Sequence, residues 1–394
     1  GQVCNNEEGS CFLIENKYPL SYIHGGCSLG QACSIDFKVL ESLCSDIDDE
    51  CSIYDFLFLD TETTGLSGGA GTVAFLVGAG FFEEDCFVLR QYFMRDYDEE
   101  TGLLYELNKL FKTHSGLVSF NGRSYDWNII CDRYTFNRMK ISLSEPIHID
   151  LLHPSRRIWK LKLENCKLST LEENILGEFR VDDIPGEQIP SVYFKYLEDR
   201  NACDLVRVIR HNEKDILSMV SLLVRIHNML QRPEAETDGG AELLGIGGIL
   251  EKAEREIQRQ FVKNRQTNVY NNTPVRAASC YEACTRSSDY HISDMAARKL
   301  AEIYKRQKEY EKAAKLWMGM VERSNTLNTY AVIELAKYYE HRLKDHDKAL
   351  SLVEEAYYEC LKLGVTHSEF YKDLKTRRDR LIMKIHRPKA GNEK

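Results

Sequence analysis

The chain has 394 residues, is 43% hydrophobic, and carries a formal net charge of -9 with a pI near 5.8. Such a chain can bury more than one core, and its acidity excludes a general basic coat for nucleic acid while allowing local basic patches beside an acidic metal site. The 13 cysteines are odd in number, with no Cys-x-x-Cys pair, and no apolar run reaches membrane-spanning length, so reduced thiols in a cytoplasmic protein without membrane contact are expected. Residues 1–50 predict an extension packed on the main domain, with strand-like runs at 11–14 and 18–20, a turn at His24-Gly25-Gly26, and a short helix over 34–44. The acidic residues 46–50 read as a solvated connection.

Residues 51–230 predict an α/β domain, a mixed sheet flanked by helices. Its strands cover 56–62, 72–82, 86–94, 117–120 and 147–152. Its helices cover 101–113, 125–139, 170–176, 191–199 and 202–230. Residues 231–241 read as a linker, and 242–394 as an all-α domain. There Leu300-Ala301 with Tyr304 is repeated as Leu335-Ala336 with Tyr339, and Ala277-Ala278 with Tyr281 as Ala313-Ala314 with Trp317. Small residues beside aromatics at this period suggest stacked helical hairpins similar to tetratricopeptide repeats. The tail over 372–394 is rich in Lys and Arg, as a solvated helix or a nucleic-acid contact.

The stretch Phe56-Leu57-Phe58-Leu59-Asp60-Thr61-Glu62 ends a buried strand in two carboxylates at i and i+2. Side chains alternate along a strand, so Asp60 and Glu62 share a face, and close carboxylates ordinarily persist around a cation or shared proton. Asp126, in the first turn of the helix after the fourth strand, is either a helix-dipole partner or a third carboxylate for the same edge. His211 and Asp215 lie four apart on a helix, as an exposed pair or as site residues at the margin of its apolar face. Asp60, Glu62, Asp126 and Asp215 together would make an oxygen-only site suited to two Mg2+ or Mn2+ ions, which can activate water and stabilise a leaving oxygen of a phosphodiester. A histidine such as His211 is suited to take the proton of that water. Asn121 stands at a strand C-terminal end, where ligands collect in α/β sheets. Arg156 and Arg157 interleave with Trp159 as candidates for phosphate contact and base stacking, or as a basic surface loop. The glycines between 65 and 71 lack a following Gly-Lys-Ser/Thr and so do not make a P-loop.

In order, Asp60-Thr-Glu62-Thr-Thr-Gly, Asn121-Gly-Arg-Ser-Tyr-Asp126 and His211-Asn-Glu-Lys-Asp215 resemble the three exonuclease motifs of the DEDD superfamily of 3′–5′ exonucleases, which have a ribonuclease H-like fold. GLSGGAGTVAFLVG, DLLHPSRRIW, LSTLEENILG and DIPGEQIP resemble more closely the bacterial YprB-like proteins, an RNase H-like group, over roughly residues 10–230. The resemblance implies that Asp60, Glu62, Asp126 and Asp215 are metal ligands and His211 is the general base. It also implies that Thr61, Thr64 and Leu66 lie near a terminal nucleotide. The spacing of His211 from Asp215 is that of the branch carrying a Tyr at this position, where the side chain orients water. The expected function is a two-metal 3′–5′ exonuclease on the end of single-stranded DNA or RNA, with helical repeats for a protein partner or substrate guidance. A structure-specific endonuclease, a small-nucleotide phosphodiesterase, and a repeat scaffold with a non-catalytic α/β domain are its rivals.

Overall fold

The computed structural model describes residues 1–48, 50–65, 71–263, 276–323 and 327–386. The chain divides into two compact units, 1–274 and 275–394. The first is built on a seven-stranded mixed sheet. Its strands are β1 (Gln2–Asn6), β2 (Gly9–Pro19), β5 (Phe56–Thr63), β6 (Ala74–Phe82), β7 (Cys86–Phe93), β8 (Gly116–Ser119) and β9 (Ile147–Asp150), in the order β1-β2-β7-β6-β5-β8-β9. Two short strands, β3 (Ile23–His24) and β4 (Cys27–Ser28), form a separate hairpin. The pairings from β1 to β5 are antiparallel, and β5-β8 and β8-β9 are parallel. Residues 1–19 therefore extend the sheet itself by a hairpin paired along β7.

Every residue of β6 is buried, as a strand covered on both faces requires. On one face, Leu57, Phe75, Val77, Ala79 and Val88 pack with Leu103, Leu107 and Leu110 of the helix Glu100–Phe111 and Ile130 of the helix Asp126–Phe136. The other face carries Gly78 and Gly80, the cross-strand partners of Asp60 and Phe58. A Cβ at Gly78 would collide with Asn212 and come 2.5 Å from Ile216 Cδ1, and one at Gly80 would come 2.7 Å from Ile216 Cγ2. The missing side chains let the helix Leu205–Gln231 lie close against the sheet, and so bring its polar residues to Asp60.

The division between the units falls well beyond the expected linker at 231–241. Residues Pro233–Glu236 make a helical turn, and the helix Gly240–Lys263 belongs to the first unit. Gly245 lies directly against the Arg157 carbonyl, with its Cβ position 2.7 Å from Ile158 Cα, and Glu242 accepts from the Trp159 indole at 3.0 Å. The close approach through Gly245 and the buried polar contact outweigh the linker-like composition before them. In the second unit, successive helices pack on one another from Arg276–Cys284 through Glu369–His386. Ala297, Ala301, Ala313, Ala314, Trp317, Ala331 and Leu335 form one core, so the paired small residues and aromatics of the sequence sit at the helix contacts.

Candidate active site

Asp60 and Glu62 lie near the C-terminal end of β5, where the pairing with β6 shifts register between Glu62 and Thr63. A bulge here bends the strand end away from regular pairing. The Thr61 peptide N–H donates to Asp126 Oδ1 at 3.1 Å, and the Thr61 hydroxyl donates to the same oxygen. Asp126 is the first residue of its helix and is buried. Its approach depends on the preceding turn: Asn121 is left-handed (φ 67°), and a Cβ on Gly122 would lie 2.6 Å from Ser119 Cβ and 3.0 Å from Asp126 Oδ2. The Asp150 carboxylate holds this turn, accepting from the N–H groups of Asn121 (2.9 Å), Arg123 (3.2 Å) and Leu152 (3.0 Å).

The helix Leu205–Gln231 supplies the other side. Asn212 Nδ2 donates to Asp60 Oδ2 at 2.7 Å, while its Oδ1 accepts from Gln91 Nε2 at 2.9 Å. Gln91 is fixed in turn by donation to the Ile209 carbonyl at 2.8 Å. A relay of amides from β7 through the helix thus orients one carboxylate oxygen of Asp60. On His211, the residue preceding Asn212, Nδ1 lies 2.8 Å from Asp183 Oδ1 and Nε2 lies 3.7 Å from Asp215 Oδ2. Arg180 ties these groups together. It donates to Asp215 Oδ1, grips Glu172 through two bonds of 2.5 and 2.6 Å, and lies 3.3 Å from Asp183 and 3.1 Å from His211 Nδ1. Glu172 belongs to a π-helical turn, Glu172–Leu176, and also accepts from Ser218.

The electrostatics follow from this crowding. Burial, then the charges of Asp215 and Asp126, push the Asp60 carboxyl well above its usual range. Burial, then the charge of Asp60, does the same to Glu62. Burial pushes Asp126 up to about 6 against the lowering effect of the Thr61 bonds. Burial would raise Asp183 too, but the hydrogen bond and charge of His211 hold it below the ordinary value. Asp60, Glu62, Asp126 and Asp215 thus repel within one electrostatic neighbourhood. Their donor atoms are all hard oxygens, the chemistry a Mg2+ or Mn2+ ion requires, and a cation would relieve the repulsion. Among the described residues no group of three or more His, Cys, Asp or Glu side chains already has the spacing of a metal site. Asp60, Asp126 and Asp215 each have one oxygen engaged, by Asn212, Thr61 and Arg180 respectively.

Other expected contacts fare differently. The Thr64 hydroxyl accepts from the Val73 N–H at 3.0 Å. Leu66 lies outside the described residues. Trp159 is fully buried with its indole N–H on Glu242, so base stacking by this ring is overturned. The surrounding stretch is a helix, Leu152–Trp159, rather than a loop, with Arg156 and Arg157 exposed. Sequence reasoning passed over Asn212, Gln91, Glu172, Arg180 and Asp183. Asn212 had a readable signal: it interrupts the apolar spacing Val208, Asn212, Ile216 on the buried face of its helix. Arg180 had none, because its inward direction depends on contacts distant in sequence.

A family model described as RNase_H superfamily, RNase_H_2, matches residues 57–227. The chain is also 30% identical over 375 residues to the Bacillus subtilis (strain 168) protein named Uncharacterized protein YprB, covering 92% of this chain and 84% of that one. The matched span holds the sheet strands β5 to β9 and the helix bearing Asn212 and Asp215, and a nuclease is the activity this superfamily suggests. The chain belongs to the family of YprB, and its residues 57–227 form an RNase H superfamily domain.

Proposed function

We propose that the protein is a divalent-metal-dependent nuclease, acting as a 3′–5′ exonuclease on single-stranded DNA or RNA. The observation that carries this reading is the convergence of Asp60, Glu62, Asp126 and Asp215 within one electrostatic neighbourhood at the end of β5, with Asp60, Asp126 and Asp215 each held by a different partner. These four residues would hold Mg2+ or Mn2+ ions, two in the DEDD manner. When bound, such ions polarise the scissile phosphate and lower the pKa of the attacking water. The side chains around them do the positioning. Gln91 and Asn212 orient Asp60, Thr61 orients Asp126, and the Glu172–Arg180 pair orients Asp215. His211 acts as the proton acceptor at Nε2: with Nδ1–H donated to Asp183, its other nitrogen is the free base, directed to the side of Asp215. The helical second unit, in this reading a tetratricopeptide-like array, guides substrate or takes a protein partner.

The test uses end-labelled oligonucleotides of DNA and RNA with Mg2+ or Mn2+, beside a circular single strand. Stepwise loss from the 3′ end with the circle intact is expected, and Asp60→Asn should abolish it. Cleavage of the circle would replace the exonuclease reading by an endonuclease. Folded, metal-loaded protein that cuts nothing would refute the nuclease reading.

A further inference from the structure

The buried hydrogen bonds behind Arg180 do not stop at Glu172. The Glu172 carboxylate is buried and takes the fork of Arg180, Oε2 from Nε and Oε1 from Nη2. Oε1 also accepts from the Ser218 hydroxyl at 2.5 Å. Ser218 is fully buried, and 2.8 Å beyond its Oγ lies Nε2 of His24, itself buried. The directions of these bonds follow from the groups. A guanidinium stays charged and only donates, so Glu172 meets it as an acceptor. The single Ser218 hydrogen goes to Glu172, so the Ser218 oxygen must accept and His24 must donate from Nε2. Burial holds the His24 imidazole below its ordinary value, which leaves it neutral at pH 7 with its one hydrogen on that nitrogen. The chain of atoms is unbroken: His24 Nε2, Ser218 Oγ, Glu172 Oε1, Arg180 Nη2, Asp215 Oδ1.

His24 is held for this contact. It ends β3, its carbonyl accepts from the Ser221 hydroxyl at 2.8 Å, and the next N–H, that of Gly25, donates to Glu178 at 2.8 Å. Gly25 is left-handed (φ 59°), and a Cβ there would lie 2.8 Å from Ser221 Cβ, so a glycine lets the hairpin turn sit against the long helix. The hairpin of β3 and β4 precedes the RNase H superfamily domain. Buried polar side chains are costly to desolvate, but a chain with every member partnered fixes one arrangement, where apolar side chains would only fill space. We infer that His24 is a positioning residue of the nuclease site, acting through Ser218, Glu172 and Arg180 on Asp215. This rests on the nuclease reading. With Oδ1 of Asp215 fixed on Arg180, Oδ2 is the oxygen turned to His211, 3.7 Å from its Nε2. The N-terminal hairpin thereby sets the orientation in which Asp215 would meet a Mg2+ or Mn2+ ion, and groups that orient ligands from behind govern metal affinity.

The experiment measures Mn2+ affinity of the full chain by calorimetry, beside kcat and KM on a labelled single-stranded oligonucleotide. His24→Leu removes the donor, so the Mn2+ Kd should rise about tenfold and kcat fall by a similar factor, with KM unchanged. His24→Gln, whose amide can donate from the place of Nε2, should recover most of this loss. His24→Asn, whose shorter amide falls short of Ser218, should repeat the loss with a polar side chain if the leucine does not fold. Ser218→Ala cuts the chain one link nearer the site and should lose at least as much. Adding His24→Leu to it should cost nothing further, because both changes break one pathway. A residue that only filled space would give neither the rescue nor the non-additivity. Wild-type Mn2+ affinity in folded His24→Leu, His24→Asn or Ser218→Ala overturns the role of His24 and leaves the nuclease reading intact. So does a His24→Gln protein as impaired as His24→Leu, or additive losses in the pair. Wild-type protein that neither binds Mn2+ nor cuts the strand overturns the nuclease reading, and the positioning role with it.

Discussion

Asp126→Asn removes a charge while keeping shape, and it separates the stability of the site from its use. Asparagine Oδ1 can still accept from the Thr61 N–H and hydroxyl, so the local geometry survives. Burial raises the Asp126 carboxyl from 3.8 to about 6. Each pKa unit is about 1.36 kcal/mol, so ionising this residue costs the metal-free folded state roughly 3 kcal/mol at neutral pH. At about 2–4 °C per kcal/mol for a unit of this size, the variant should melt roughly 6–12 °C above wild type at pH 7.5 in EDTA. Because the folded value lies above the unfolded one, the protonated form's stabilisation is complete below about pH 4 and is lost as pH rises through 6. The variant's advantage should therefore shrink from pH 6 to pH 4. Thermal melts of the first unit followed by circular dichroism would measure it, with nuclease activity lost in the same protein. A variant that melts below wild type at pH 7.5, or a difference that ignores pH, would refute the reasoning.

Gly78→Ala inserts a Cβ onto Asn212 and to 2.5 Å from Ile216 Cδ1, so it should cost about 1–3 kcal/mol in urea unfolding and lower activity by displacing Asn212 from Asp60. Unchanged stability would mean that the helix does not rest where described. Arg180→Lys keeps the charge but loses the forked grip on Glu172 and the simultaneous reach to Asp215, so Mn2+ affinity by calorimetry and turnover should both fall about tenfold or more. Wild-type values of both would remove Arg180 from the positioning network. In the second unit, Glu340 has no exposed side-chain surface and accepts from Arg377, Arg380 and Lys384. Burial alone would raise its carboxyl, but Lys384 and Arg380 hold it down to about 2. Its stabilisation is thus present above about pH 4.5 and lost as pH falls towards 2. Glu340→Gln should loosen the helix Glu369–His386 at neutral pH, seen as faster amide exchange there, and should abolish the acid dependence in that window.

Local rules carried much of the fold. Phe56-Leu57-Phe58-Leu59 reads as a buried strand because a continuous apolar run fits only a strand covered on both faces, and β5 is the centre of the parallel and antiparallel halves. The i, i+2 spacing of Asp60 and Glu62 puts them on one face by strand geometry alone. Composition misled at 231–241, where Gly245 and Glu242 draw the next helix onto Arg157 and Trp159. It misled at Trp159 as well, because a lone aromatic among arginines looks the same in sequence whether it faces water or core.

The sequence by itself determined most of the strands and helices over 56–230, the carboxylate pair on β5, and the helical character of the second unit, since each depends on periodicity within a few residues. Only the tertiary structure decided what surrounds those carboxylates. Gln91, Asn212, Thr61 and Arg180 reach them from β7, the long helix, β5 and the segment 177–183. The reason is physical: hydrogen bonds and buried charge act between atoms a few ångströms apart, and those distances are set by packing, here by Gly78 and Gly80 beneath the helix, rather than by separation along the chain.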